Sequence, residues 1–382
     1  MSSAKAAQRY IERGYTVVPV PPRSKNPGRT GWERLRIARE DVRRYFTNGQ
    51  NIGIHVGEPS GWRVDVDLDV AEVRRVAGRF LEPTLTSGRA SSPDSHWWYV
   101  CPGAEYRAFK DIGGETILEL RSTGHHTLVW PSVHPSGEEI RWSEAGLEAQ
   151  EIGAEDLTRA CRELASAGLI ARHLPPPREK RIGTGGGRHD VALALAGFLL
   201  RRGLDDLTVL KILRAAWDAR GFAGDQTLAQ REAHRDLEGI VEDTFRRIHA
   251  GEAATGGRTL DSLIPGLPRK LADYWGWSKE LDEGEPPNKA THNPPRKQRN
   301  QADRLIDYAL ESGAERFVDQ AGAPHVLVES EAVPLNTASY KWLRTLMWDR
   351  EGISVGGEAL KTAAGTLGAR PVNSHGPNTQ QL

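Results

Sequence analysis

Apolar residues recur along this chain with two different periods, and the change of period divides it. Up to about residue 150 they alternate with polar residues in short runs punctuated by glycine and proline. The runs are YTVVPV (15–20), NIGIHVG (51–57), WRVDVDLD (62–69), SHWWYV (95–100), TILELR (116–121), HTLVWP (126–131) and EEIRW (138–142). A period of two predicts strands. Three helical stretches interrupt them: AKAAQRYIERG (4–14), closing on Gly14, EDVRRYFT (40–47) and VAEVRRVAGRFL (70–81). Clustered strands with few helices predict an α+β domain over residues 1–150, with a mostly antiparallel sheet and flanking helices.

Beyond it, residues 151–187 read as a helix, IGAEDLTRACRELASAGLIA, and a linker, HLPPPREKRIGTGGG. From 188 to 277 the period is helical: HDVALALAGFLLRRG, DLTVLKILRAAWDARG and LEGIVEDTFRRIHAG close on Gly203, Gly221 and Gly251. That is the pattern of a small all-α domain. The polar, Pro-containing stretch 278–300 is predicted to be a disordered linker. Residues 301–368 read as a helix, a short hairpin (ERFVDQAGAPHVLVE) and further helix, of unknown role. The tail 369–382 has no core-forming pattern and is predicted to be disordered. No internal repeat occurs.

The 382 residues suit two or three domains. The 51 Lys and Arg balance the 51 Asp and Glu, so net charge decides nothing about nucleic acid. The first fifty residues are different, with eleven Lys/Arg against four Asp/Glu, a basic front end that attracts phosphates or serves as a solvated helix. Cys101 and Cys161 lie far apart without a C-x-x-C partner, which excludes a zinc knuckle or a disulfide scaffold and fits a reducing cytosol. No run of about eighteen apolar residues exists and no leader-like apolar region opens the chain. A cytoplasmic protein with no membrane association is the expectation.

The acids of DVDLD change the picture. On a strand, Asp65, Asp67 and Asp69 share one face, while Val64, Val66 and Leu68 turn to the core. Carboxylates about 6–7 Å apart on a strand can grip hard divalent cations, the arrangement that phosphoryl-transfer sites use. A solvated face is the plain alternative, but it crowds like charges without a counter-ion. Asp69 and Glu72 also fit a D-x-x-E capping box for the next helix. Asp65 and Asp67 are therefore the expected metal pair and Asp69 the cap, although Asp67 and Asp69 satisfy the same spacing.

Two further stretches carry suitable chemistry. SGRASSPDSHWWYV (87–100) reads as a Ser/Gly/Arg loop delivering His96 to a strand start, with Arg89 adding charge for a triphosphate. In TILELR, Glu119 and Arg121 share a face, as a third acid with a cation or as half of a cross-strand ion pair. PSVHPSG then forms a tight turn carrying Ser132 and His134. The glycines of GTGGG (183–187) read as linker, since no G-x-x-x-x-G-K-S/T motif occurs.

Taken in order, DVDLD, PDSHWWY, LELRSTG and PSVHPSGEEIRW resemble the bifunctional DNA primase/polymerase (Prim-Pol) domain of the archaeo-eukaryotic primase superfamily. The likeness spans about residues 5–145. Residues 185–277 look like the helical domain that follows Prim-Pol in plasmid, phage and integrated-element replication proteins. The resemblance implies a template-dependent nucleotidyltransferase on a primase-like fold. Asp65, Asp67 and Glu119 would hold two Mg²⁺ or Mn²⁺ ions. His96, Arg121 and Arg89 would meet the nucleotide phosphates, and His134 and Ser132 would line the nucleotide side. Partners would be a single-stranded DNA template, a primer strand, NTPs or dNTPs and a separate replicative helicase. A non-catalytic replicon-binding module and a metal-dependent phosphoesterase are the alternatives.

Overall fold

The computed structural model describes residues 2–47, 49–143, 148–175, 187–220, 226–278, 301–312, 314, 316–319, 323–328, 331–351 and 355–369. The Pro/Gly-rich part of the first linker, Gly221, nearly all of the second linker and nearly all of the tail lie outside these residues. Met1–Asn288 and Lys289–Leu382 form two compact units.

In the first unit the chain runs α1 (Ser3–Glu12), β1 (Val17–Val20), α2 (Val42–Tyr45), β2 (Asn51–His55), β3 (Arg63–Asp67), α3 (Ala71–Val76), β4 (Leu85–Arg89), β5 (Ser92–Val100), β6 (Arg107–Lys110), β7 (Thr116–Arg121) and β8 (His126–Val129). Two short strands, β9 (Arg141–Trp142) and β10 (Gln150–Glu151), precede α4 (Ala154–His173), α5 (Arg188–Arg201), α6 (Asp206–Arg220), α7 (Gln226–His249), α8 (Gly257–Leu263) and α9 (Leu267–Trp275).

The α+β domain has the expected mostly antiparallel strands, and they fall into two sheets. Strands β1-β2-β8 form a small antiparallel sheet, and a seven-stranded sheet has the order β6-β7-β3-β5-β4-β9, with β10 added parallel to β5. The stretch at 87–95 is not a loop: β4 and β5 form a hairpin turning at Ala90 and Ser91, and His96 lies inside β5. Ser, Gly and Pro give that segment a loop's composition, but cross-strand pairing overrides it. Gly88 sits where the β4–β5 register shifts, and a Cβ there would lie 2.4 Å from the Ser92 carbonyl oxygen. Glycine lets the two strands approach across this bulge.

Alternation along β3 decides the layers. Val64, Val66 and Leu68 enter the main core with Tyr99, Leu118 and Leu120, covered by Val73 and Val76 of α3 and by Leu157 and Leu164 of α4. Leu195 of α5 and Leu213 of α6 belong to the same cluster, so sheet and helical region share one core. At Gly168 helix α4 meets α3 closely enough that a Cβ would fall 2.3 Å from Val73 Cγ1. On the other face of the large sheet, Trp98 joins Ile52, Ile54, Val129 and the α1 residues Ala7 and Tyr10 in a second core. The small sheet and α1 thus cover part of the acidic face and leave its front open.

Cys101 and Cys161 are buried free thiols, and burial pushes Cys101 up to about 11. No described helix is long and apolar enough to cross a membrane. The second unit contains α10 (Gln301–Glu311), the antiparallel sheet β11 (Arg316–Val318)–β12 (Pro324–Val328)–β13 (Glu331–Pro334), α11 (Tyr340–Glu351) and α12 (Gly357–Ala369). Leu305, Val326, Leu343, Met347 and Leu360 are buried there.

Candidate acidic active site

Strand β3 lies between β5 and β7, and register does the assembling. Asp67 is directly opposite His96 on one side and Glu119 on the other; Asp65 is opposite Trp98 and Arg121. Directly paired residues share a sheet face, so Glu119, Asp67 and His96 form one row and Arg121, Asp65 and Trp98 the row behind. Pairing continues past the end of β3, from Leu68 N–H to the Ser95 carbonyl (2.8 Å) and from Asp69 N–H to the Ile117 carbonyl (3.1 Å). The alternation therefore carries Asp69 into the same group. One carboxylate oxygen each from Asp67, Asp69 and Glu119 lies within 4.8 Å of the others.

Asp69 does not cap α3. The helix opens at Ala71 with Val70 at its N-cap and no side-chain cap bond, so the D-x-x-E match is not a capping box. Main-chain pairing of Asp69 with β7 keeps the residue in the extended strand. Glu72 instead meets Arg172 of α4 at 3.4 Å.

The acids have different surroundings. Asp65 is wholly buried; its Oδ2 accepts the Thr127 hydroxyl at 2.6 Å and lies 3.0 Å from His96 Nδ1, while its Oδ1 has no hydrogen-bond partner. Asp67 meets Arg121 Nη2 at 2.5 Å and His96 Nδ1 at 3.4 Å. Burial pushes the Asp67 carboxyl up, but the charges of His96 and Arg121 outweigh it and hold it below the usual range. Burial likewise opposes a charged His96, and Asp67 and Asp65 outweigh that too, raising the imidazole toward its cationic form. Glu119 accepts from Arg121 Nη2 at 2.6 Å and Nε at 2.8 Å, and from the Tyr106 hydroxyl at 2.7 Å. Asp69 sits at the exposed mouth, yet loss of surrounding water and then the Asp67 charge push it up to about 7.

His96, Glu119 and Arg121 border a cleft of about 290 Å³, whose lining also includes Lys25, Trp32, Arg89, His126 and His134. Arg89 pairs with Glu138 at 3.2 Å, and His134 Nδ1 lies 2.8 Å from Ser136 Oγ. Ser132 is elsewhere: it is buried, and its hydroxyl accepts from Ile52 N–H (2.8 Å) and reaches the Ile52 carbonyl (3.2 Å), tying the turn to β2.

Sequence reasoning missed Lys25, Trp32, Tyr106, Thr127 and His126. Of these, Thr127 had a signal, because the alternation of HTLV turns it to one side with Val129. Lys25 stands in an irregular loop, where no period can assign a direction.

The donor set fits a hard divalent cation: three carboxylates converge, and oxygen ligands of this kind are what Mg²⁺ and Mn²⁺ take. Asp65 Oδ1 has no hydrogen-bond partner, so Arg121 and His96 do not satisfy every acid oxygen here.

No curated protein and no solved structure matches the chain. Residues 7–189 match the family model for the N-terminal domain of bifunctional DNA primase/polymerase, and the match ends just inside α5. It encloses β3, β5 and β7 with the acid row they build. Residues 7–189 therefore carry the N-terminal Prim-Pol domain of the bifunctional DNA primase/polymerases.

Proposed function

We propose that the chain is a template-dependent DNA primase/polymerase that adds nucleotides to a 3′-hydroxyl and makes primers at the acidic cleft. The observation that carries this reading is the register of β3 with its two neighbours, which sets Asp67 between Glu119 and His96, two residues that line a cation-rich cleft. Asp67, Asp69 and Glu119 would hold Mg²⁺ or Mn²⁺. When bound, a pair of such ions activates the attacking hydroxyl and neutralises the departing pyrophosphate.

The chain's own groups do the rest. His96, drawn toward its cationic form by two buried acids, offers its other ring nitrogen to a phosphate oxygen, with Arg89 and Lys25 adding charge along the wall. Asp65 positions His96 and is itself fixed by Thr127. Arg121 balances the acids until a nucleotide arrives. The chain's place would be in copying a plasmid, phage or integrated element, with a separate helicase opening the duplex. A cytoplasmic site of action agrees with that work.

The decisive experiment incubates the full chain with an unprimed single-stranded template, labelled NTPs or dNTPs and Mg²⁺ or Mn²⁺. New strands made without a primer, and lengthened primers in a parallel reaction, are the expected products. Shortened DNA, or binding without synthesis, would overturn the reading. Within this site, Tyr106→Phe frees one Glu119 oxygen while keeping the ring that stacks on His125 at 3.9 Å. Loss of one hydrogen bond to a charged group predicts extension slowed about tenfold. An unchanged melting temperature is expected beside it, since Tyr106 is 42% exposed. A wild-type extension rate would remove Tyr106 from the site.

A further inference from the structure

A second polar cavity, of about 170 Å³, opens on the far side of the sheet edge from the acids, between β6 and α9. Arg107 and Lys110 line it from the strand and Lys270 from the helix, with Asp273 as its single acidic lining residue. Among the described residues, none of these three cations has a side-chain hydrogen bond or an ion pair. By contrast Arg79 pairs with Asp218, Arg121 with Asp67 and Glu119, and Arg172 with Asp111. Half-buried Arg162 stands behind the cavity. Its guanidinium lies 6.0 Å from the Trp275 ring centre, its Nε has no hydrogen-bond partner, and burial and the Arg107 charge lower its pKa.

The cavity is a built feature. The Tyr274 hydroxyl donates to the Lys110 carbonyl at 2.9 Å and its ring meets Phe109 edge-on at 5.1 Å, fixing α9 against the edge strand. Cations gathered round one cavity repel one another unless an anion joins them. The place of the cavity indicates which anion. Ala108, in its lining, is directly opposite Glu119, so a single strand spacing of about 4.8 Å separates cavity wall and acid row. Tyr106, exposed and bonded to Glu119, immediately precedes Arg107. Cations along a backbone track with an aromatic face beside them are what single-stranded nucleic acid uses.

We propose that Arg107, Lys110 and Lys270, backed by Arg162, bind the phosphodiester backbone of single-stranded nucleic acid where it crosses the sheet edge at Tyr106. The direction of that strand, toward the acidic cleft, rests on the polymerase reading; the binding itself does not. The helical region then has a concrete part in the reaction, because Lys270 closes a site begun by the sheet.

The test measures anisotropy of a fluorescent oligothymidine with the full chain across a range of salt, without nucleotide or metal. Arg107→Gln with Lys270→Gln is expected to weaken binding about tenfold and to flatten the salt dependence by about 1.4, at roughly 0.7 for each lost phosphate contact. Arg107→Lys with Lys270→Arg restores both. Should the double variant fail to fold, exposed Lys110→Gln gives a drop in slope of about 0.7. Wild-type affinity and slope in the folded variants overturn the proposal. So does a variant that binds the oligonucleotide normally but loses labelled ATP, which would assign the cavity to a free triphosphate. Primer extension by the wild-type chain separates the two claims. Extension with unaltered oligonucleotide binding by the variants sinks only the cavity; salt-sensitive cavity binding without extension sinks only the polymerase.

Discussion

Asp67→Asn is expected to lower nucleotide incorporation by about three orders of magnitude or more, while the protein stays folded. Asp67 joins the register row, the Arg121 ion pair and the convergent carboxylates. It pairs with Glu119 and His96 through register, meets Arg121 at 2.5 Å and belongs to the convergent carboxylate group. Asparagine keeps the shape and one acceptor oxygen but removes the charge that would hold a divalent ion. Charge stabilisation in a water-poor site carries the largest share of most catalysis, and losing one such element costs about 10²–10³ in rate, with loss of an ion adding to it. Alanine is the blunter change, because it leaves the buried Arg121 and His96 short of a counter-charge and so mixes folding with chemistry. The measurement is extension of a primed template with dNTPs and Mn²⁺, beside Mn²⁺ binding followed by electron paramagnetic resonance. Extension and Mn²⁺ binding both at wild-type level would remove Asp67 from the site.

The second large effect is on stability. Arg121→Ala removes the cation lying 2.5 Å from Asp67, 2.6 Å from Glu119 and 3.9 Å from Asp65. Those acids raise the guanidinium pKa further despite burial, so charge is held here with unusual firmness. Removing one partner of a largely buried group leaves carboxylates facing one another, at a cost of about 3 kcal/mol. The variant is expected to melt lower than wild type and to recover part of the loss on adding millimolar Mg²⁺ or Mn²⁺, since a cation binding only the folded site stabilises it by mass action. Calorimetry with and without the ion checks this. Equal melting temperatures for variant and wild type, or no response to either ion, would deny that the acids repel as described.

Much of this site was legible because alternation is rigid. Once DVDLD and TILELR are strands, Asp65, Asp67, Glu119 and Arg121 can only face the side opposite Val66 and Leu120. What a single strand does not encode is its partner. That His96 stands opposite Asp67 depends on β4 and β5 forming a hairpin, and the Ser/Gly/Pro composition of that hairpin hid it. Asp69 was misread for a related reason. A local D-x-x-E pattern suggested a cap, whereas main-chain pairing to Ile117 keeps the residue extended and hands its carboxylate to the acid group. Ser132 shows the reverse error: a hydroxyl in a suggestive turn serves the backbone of β2. The two-sheet architecture was invisible too, since β1, β2 and β8 have the same periodicity as the strands of the larger sheet.

The core common to sheet and helices sets where this protein can be cut. The family boundary at 189 is a border of recognisable sequence and runs through continuous packing. A fragment ending there would keep every acid yet turn Leu164, Ile170 and the apolar side of α4 toward water where α6 and α9 had covered it. It would also lose α9, and with it the cover over the β6 edge. For expression, crystallisation or grafting onto another replication protein, the smallest portable piece is Met1–Asn288.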